Sequence, residues 1–544
     1  MQGLMQDYQL TLHNIFNRME RIYPDHTVVT GGPRPSRYTY AEVAERIRKL
    51  GTALEQKLGL GADAVVGSFC WNHVQHLELY YAVPMSGRVL HTLNIRLFPQ
   101  QIEYIAGHAG DEIIFVDRSL LPLLLPLREQ LPSVTKYVVI DDTPEGQEGP
   151  EIPSDGAFFD YEELIGDCEP ITAFPEANEN DGVTFCYTSG TTGNPKGVLY
   201  SHRSMWLHAM ACTSTAGAGV KPTDTVMPVV PMFHANAWGF IHSAPMVGAN
   251  LVLPASDMTP HGLSKLIVNE GVTLAAGVPT IWQGIVPLFD RYDFSKLDRI
   301  LCGGSAVPAG LIKEWRKVDV LVWQAWGMTE TNPVASGAII DPRLDGKSED
   351  ELLPHRARAG TPPPGVEFRI VEPDSTNELP WDDVATGDLQ VRGPWIARDY
   401  YNPDAGVELS TEDGWMSTGD VAAIDPFGSV RIADRTKDLV KSGGEWISSV
   451  DIENILMGHD KIREAAVIGI PHPKWDERPL ACVVLEEGQE MTAEDVKEYL
   501  APQIAKWWMP DAIEFIDEVP KTSVGKMSKK DLRDQFKEYQ LPTA

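Results

Sequence analysis

The run Tyr187-Thr-Ser-Gly-Thr-Thr-Gly-Asn-Pro-Lys196-Gly-Val198 limits what this chain can be more than any other stretch does. It follows Val183-Thr-Phe-Cys186, which is β-prone, and precedes His202-Arg203-Ser204, where a helix can begin. Between Thr188 and Val198, eleven residues hold three glycines, four hydroxyl side chains and one lysine. A strand–loop–helix passage with little side-chain bulk, free backbone N–H groups and one cation suits a polyphosphate. A solvated Gly/Ser/Thr turn has the same composition. The P-loop of ordinary nucleoside triphosphatases is excluded, because Lys196 is followed by Gly197 and not by Ser or Thr.

The flanking sequence alternates. Helical spacing of apolar residues runs over 10–23 (Leu12, Ile15, Phe16, Met19, Ile22) and 40–58 (Val43, Ile47, Leu50, Leu54, Leu58). Short apolar runs at 64–67 and 113–116 read as buried strands, giving an α/β region over the first half. Residues 140–179, rich in acid, Pro and Gly, read as mostly loop. A second alternation follows: strands at 226–230, 249–254, 274–276 and 300–302, with a helix at 262–270. From about residue 362 the texture turns to strands with frequent Gly and Pro, a β-rich subdomain ending near 432. Beyond 437 the order is strand, helix, strand, strand, helix and a basic tail. The fold class is α/β, with two α/β sheet subdomains and a β-rich subdomain in one large N-terminal domain (1–433). A short link (434–437) joins it to a small α+β C-terminal domain (438–544).

The formal net charge is −31, from 77 acidic against 46 basic residues. Such a surface repels nucleic acid and anionic lipid. The six cysteines are scattered without Cys-x-x-Cys spacing, which argues against a metal site or disulfide framework. The N-terminus has no basic run of the secretory kind, and no stretch of about 18 apolar residues exists. A cytoplasmic protein without membrane insertion is expected.

Thr188-Ser-Gly-Thr-Thr-Gly-Asn-Pro-Lys-Gly197 resembles the phosphate-loop signature of the adenylate-forming enzymes, which include acyl-CoA synthetases, peptide-synthetase adenylation domains and firefly-type luciferases. Seven further blocks follow in the family's order: Pro231–Trp238, Gly303–Ala306, Gln324–Glu330, Trp415–Asp420, Asp434–Asp438, Lys441–Trp446 and Pro520–Lys526. Within the family, His234…Trp238 and Ser442-Gly-Gly-Glu-Trp-Ile-Ser448 are most similar to medium- and long-chain fatty acyl-CoA synthetases.

The resemblance implies an ATP-dependent ligation of a carboxylate to CoA through an acyl-adenylate, with AMP and pyrophosphate as products. It implies Mg²⁺ at Thr188 and Glu330, and ATP contacts from Thr188, Ser189, Gly190, Thr191, Thr192, Gly193 and Lys196. Gly303, Gly304, Ser305 and Ala306 with Trp326, Gly327, Met328 and Thr329 would form the adenine slot. Asp420, beside Arg435, would accept from the ribose hydroxyls, a role suited to an acceptor-only group. Lys526 would be the main catalytic cation, acting with Glu330. His234 would shape the reacting end without serving as a base, since an ionised carboxylate needs none. His234, Trp238, Phe240, Val278 and Gly327 would border the acyl chain, with Trp238 as a gate or as ordinary core. A short pocket there suits a small acid such as 3-(methylthio)propanoate or butyrate; an open tunnel admits longer chains. Lys437 would be the hinge of a domain rotation, after which Lys441, Ser442, Gly443, Gly444, Glu445 and Trp446 meet CoA. The resemblance also suggests a homodimer. The alternatives are an adenylation enzyme charging a carrier protein, and an inactive nucleotide or acyl sensor.

Overall fold

A computed structural model describes residues 1, 3–188, 194–373, 375–404, 407–442, 445–522 and 526–542, without the side chain of residue 445. Four sheets organise the chain. The first has seven strands in the order Phe158–Asp160, Lys136–Ile140, Asp111–Asp117, Val65–Phe69, Val89–Thr92, Gly182–Tyr187, Gly197–Ser201. All its pairings are parallel except the last, where Gly197–Ser201 returns antiparallel beside the strand that enters the glycine-rich loop. The second sheet has eight strands, in the order Val334–Gly337, Leu321–Gly327, Arg299–Gly303, Leu274–Gly277, Thr225–Pro228, Asn250–Leu253, Thr27–Thr30, Ser36–Thr39. Thr27–Thr30 runs parallel to Asn250–Leu253, so the N-terminal hairpin Thr27–Thr39 belongs to the second sheet.

One core cluster joins both sheets, with Val66, Phe115 and Val138 from the first and Val28, Val226 and Leu274 from the second. Helices Leu12–Arg21, Tyr40–Thr52, Val74–Met85, His202–Thr213 and Phe240–Val247 supply the remaining layer of that core. Their starts are capped locally. Thr39 accepts from the Glu42 N–H while Glu42 accepts from the Thr39 N–H at 2.7 Å, and Ser201 accepts from the Ser204 N–H. The 40–58 helix keeps its apolar face only by changing pitch, α over Tyr40–Thr52 and π over Ala53–Lys57. Residues 140–179 are less bare than their composition suggests, since they contain an edge strand and the helix Tyr161–Gly166.

The β-rich unit is a four-stranded antiparallel meander, Glu367–Val371, Gly387–Arg392, Met416–Ile424 and Val430–Arg435. The last sheet gathers Val440–Ser442, Glu445–Ile447, Ile462–His472, Asp476–Leu485 and Ala512–Phe515, covered by helices Ser449–Leu456 and Ala493–Leu500.

Candidate active site

A cavity of about 830 Å³ lies where the ends of Leu274–Gly277, Arg299–Gly303 and Leu321–Gly327 meet the meander and the C-terminal domain. Its position beyond the carboxyl ends of parallel strands follows the general rule for open α/β sheets. Of the residues singled out from sequence, Thr188, Lys196, His234, Trp238, Val278, Gly303–Ala306, Trp326–Glu330, Asp420, Arg435, Lys437 and Lys526 line it together. The loop residues Ser189, Gly190, Thr191, Thr192 and Gly193 lie outside the described residues, as do Gly443 and Gly444. Nine lysine and arginine side chains line the cavity against seven carboxylates, although the whole chain carries −31. Cations are thus concentrated locally against an acidic background, as three anionic substrates would need.

Glycines clear the space. A Cβ at Gly303 would stand 2.6 Å from the Ala325 carbonyl oxygen. Gly304 is left-handed (φ +87°), and a Cβ there would lie 3.2 Å from Lys526 Cε and from Val278 Cγ1. Its missing side chain is therefore what admits the lysine. Gly327 lines the cavity too, and a Cβ there would come within 1.8 Å of the Pro333 carbonyl oxygen, so this position has no room for a side chain.

Asp420 and Arg435 face each other in the antiparallel register of Met416–Ile424 and Val430–Arg435. Arg435 Nε forms an ion pair with Asp420 Oδ1 at 2.7 Å and the Trp326 Nε1–H donates to Oδ2 at 2.9 Å. Asp420 is only 2% exposed. Burial raises its pKa above the usual carboxylate range, against the pull of Arg435 and Trp326. One side-chain hydrogen bond and one ion pair leave the carboxylate spare lone pairs for further hydroxyl donors. The Trp326 ring is itself held edge-on to Phe368, centroids 5.8 Å apart.

Glu330, buried, accepts from the Tyr400 hydroxyl at 2.6 Å. Burial, then Glu330, push the Tyr400 phenol upward, so it stays a proton donor. The Lys196 ammonium sits 4.9 Å from the centroid of the same ring, a cation–π contact. Next door, the Tyr401 N–H donates to Gly197 O at 2.8 Å, and the Lys196 N–H to Thr188 Oγ1 at 3.1 Å. The base of the glycine-rich loop is therefore strapped to residues 400–401. The sequence reading missed Tyr400, and only its place between short polar segments could have drawn notice.

Lys526 arrives from the C-terminal domain and is tied to Thr522: the Thr522 N–H donates to Lys526 O at 2.6 Å and the Lys526 N–H to Thr522 Oγ1 at 3.2 Å. Burial, reinforced by Arg435, lowers its pKa to about 8, opposed by Asp420 and Glu330. His234 is pushed down to about 3 by burial and by Lys526, so it is neutral near pH 7.

After His234 the backbone does something no local pattern announces. Ala235, Asn236, Ala237, Trp238 and Gly239 all have positive φ (43°, 54°, 49°, 54° and 78°), forming a left-handed turn. For four L-residues this costs on the order of 1–2 kcal/mol each. The turn presents Trp238 to the cavity, with its ring edge 3.4 Å from where a Gly303 Cβ would be. Phe240, expected in the acyl border, does not line the cavity; it starts the next helix and is wholly buried in the core. Val230, Pro231 and Val334 line the wall in its stead.

The other expected surface is turned away. Lys441, Ser442 and Trp446 do not line the cavity. The Lys441 ammonium lies 5.1 Å from the centroid of the Trp446 ring, which is 44% exposed, and Ser442 Oγ accepts from Arg478 at 2.9 Å. Asp434 accepts from the Ser449 N–H at 2.8 Å and Ser448 donates to Ala433 O at 2.6 Å, fastening the helix Ser449–Leu456 to the last meander strand. Residues 436–439 are the only backbone between that strand and the next sheet.

The fold and the site together define an enzyme of the two-domain, adenylate-forming class. The chain belongs to the AMP-binding enzyme family, which it matches over residues 16–401, with the AMP-binding enzyme C-terminal domain over 451–526. Among curated relatives it is similar to a long-chain-fatty-acid–CoA ligase of Thermus thermophilus, 43% identical over 98% of this chain and 97% of that one. It is equally similar to a 3-methylmercaptopropionyl-CoA ligase of Ruegeria lacuscaerulensis, 43% identical over 99% of each. A medium-chain-fatty-acid–CoA ligase of Ectopseudomonas oleovorans is 42% identical over 98% of each. A solved anthranilate CoA ligase in complex with anthranoyl-AMP shares the fold, with a TM-score of 0.87 and 24% identity over 99% of both chains.

Proposed function

We propose that this acyl-CoA ligase activates a short carboxylic acid, with 3-(methylthio)propanoate as its best candidate. The observation that carries this is the buried Trp238, which lines the cavity with His234, Val278 and Val334 while Phe240 is buried in the core. One carboxylate oxygen attacks the α-phosphorus of ATP, the bond to the bridging oxygen breaks and pyrophosphate leaves, so no proton has to move. Positive charge and positioning dominate such a step. The Lys526 ammonium supplies the charge at the meeting of carboxylate and phosphate. Lys196 counters the departing phosphates, and Asp420 with Arg435 fixes the ribose. The CoA sulfur then attacks the acyl carbon, the acyl–phosphate bond breaks, AMP leaves, and the thiol proton passes to solvent.

Thr188 and Glu330 offer a hydroxyl and a buried carboxylate on one cavity, oxygen donors that fit a hard divalent cation. Mg²⁺ held there would neutralise phosphate charge. Calorimetry of ATP binding to Glu330→Gln, with and without Mg²⁺, tests this apart from turnover: the variant should lose the gain in affinity that Mg²⁺ gives. Residues 434–437 act as the hinge that exchanges Lys526 for the face of Lys441 and Trp446, so Lys437→Pro should spare one half-reaction and impair the other. Equal loss of both counts against a hinge. We also read the protein as cytoplasmic and homodimeric. No described helix is long and apolar enough to cross a membrane, and sedimentation equilibrium checks the dimer.

CoA-dependent AMP formation with acids from acetate to palmitate, benzoate and 3-(methylthio)propanoate tests the substrate. The proposal expects the highest kcat/KM at chains of about three to six atoms, with neighbours overlapping because a methylene contributes only ~1–3 kcal/mol. A maximum at eight carbons or beyond would make it a fatty acyl-CoA synthetase. The left-handed turn carrying Trp238 favours that second reading, since its release would swing the indole aside.

A further inference from the structure

We propose that Asn236 is a positioning residue for the carboxylic acid. Pinned under the left-handed turn, it holds the backbone that aims Trp238 into the cavity and so sets the length of acid accepted. The inference rests on the reading that the acyl chain lies against Trp238. The turn has nothing local to sustain it: Ala235, Ala237 and Trp238 have no side-chain group that favours left-handed backbone, and Gly239 comes last. Asn is the residue type that tolerates this region best after Gly.

Asn236 is 1% exposed, and its amide reaches three separate elements. Oδ1 lies 3.1 Å from the Tyr80 hydroxyl, on the helix Val74–Met85, and 3.3 Å from the Cys186 thiol, on the strand feeding the glycine-rich loop. Nδ2 donates to the Met205 sulfur at 3.5 Å, on the helix His202–Thr213. The Tyr80 hydroxyl also donates to Met232 O, just before the turn. On the far side, His208 stands 2.5 Å from where a Gly239 Cβ would be, and the Cys212 thiol reaches Trp238 O at 4.0 Å. The backbone is thus pinned at 236 and crowded at 239, and Trp238 between them lies with its ring edge against Gly303. None of Asn236, Tyr80 and Cys186 lines the cavity, so they act on the acid only through Trp238.

Steady-state kinetics of Asn236→Ala and Tyr80→Phe over a series of straight-chain acids and ATP test this. The expected result is a KM for short acids raised at least about tenfold, a relative gain for longer acids, and a KM for ATP within about twofold of the parent. A purely structural amide would lower Tm and leave the ratio of kcat/KM between short and long acids unchanged, and that outcome overturns the inference. If Asn236→Ala does not fold, Tyr80→Phe, which keeps the ring and removes one hydroxyl, decides by the same ratio. A parent enzyme that activates no acid of the series overturns the substrate reading and this inference together. Unchanged ratios on an active parent overturn this inference alone.

Discussion

The two walls of the cavity are built in opposite ways. On the large domain, the functional groups are tied to one another before any substrate arrives: Asp420 to Arg435 and Trp326, Glu330 to Tyr400, Lys196 to the Tyr400 ring. On the C-terminal domain, Lys526 is hydrogen-bonded through its backbone to Thr522, while Lys441 and Trp446 do not line the cavity. A fixed wall suits one nucleotide that stays through both half-reactions. Under the hinge proposed above, the wall that carries two sets of groups on different faces would use them in turn.

If the large domain is the rigid partner, acid should dismantle it. Burial holds His76, His202, His208, His234 and His242 at about 3 against an ordinary 6.5. The unfolded chain therefore binds more protons below pH 6.5, and stability falls as pH drops from 6.5 toward 3. Each histidine contributes up to about 1.4 kcal/mol per pH unit in that window. Thermal unfolding from pH 7.5 to 4.5 should show a steep loss of Tm in the large-domain transition; a flat profile breaks the picture of a histidine-laden rigid half.

The next effect isolates the moving wall. Lys526→Ala should slow acyl-adenylate formation by at least ~10²–10³-fold and leave thioester formation from supplied acyl-AMP near the parent rate. Rapid-quench measurement of each half-reaction separates them, and equal damage to both would mean that Lys526 serves a single fixed site. A smaller effect comes from titrating the same group. With Lys526 at about 8 in the free enzyme, kcat/KM should fall up to tenfold per unit as pH rises above that value. Bound phosphates favour the ammonium, so kcat should hold to higher pH; Lys526→Arg, charged throughout, should abolish the fall in kcat/KM.

The smallest effect concerns the strained turn of the fixed wall. Ala237→Gly relieves one left-handed L-residue and should raise stability by about 1 kcal/mol or less, after the entropy glycine returns to the unfolded chain. Denaturant titration checks the sign, and a clear loss of stability would show that the turn carries no strain at that position.

Much of this was readable along the chain. The helices at 12–21, 260–270 and 493–500 and the strands at 111–117 and 367–371 come from apolar periodicity and capping residues only a few positions apart. The ordered blocks carry Asp420, Glu330 and Lys526 to one cavity, and the register of two neighbouring strands explains why Arg435 stands beside Asp420. Phe240, which the resemblance places in the acyl border, is wholly buried at the start of the next helix and does not line the cavity; the left-handed turn before it has no local signal.

What the residues settle alone are features whose energetics are local: strand and helix spacing, glycine where bulk is forbidden, and charge types at matching motifs. The N-terminal hairpin joining the second sheet, Tyr400 reaching Glu330 from seventy residues away, and the handedness of Ala235–Gly239 belong to the folded molecule. Each depends on contacts between distant segments that offset a local cost, and such a balance leaves no periodic trace in the chain.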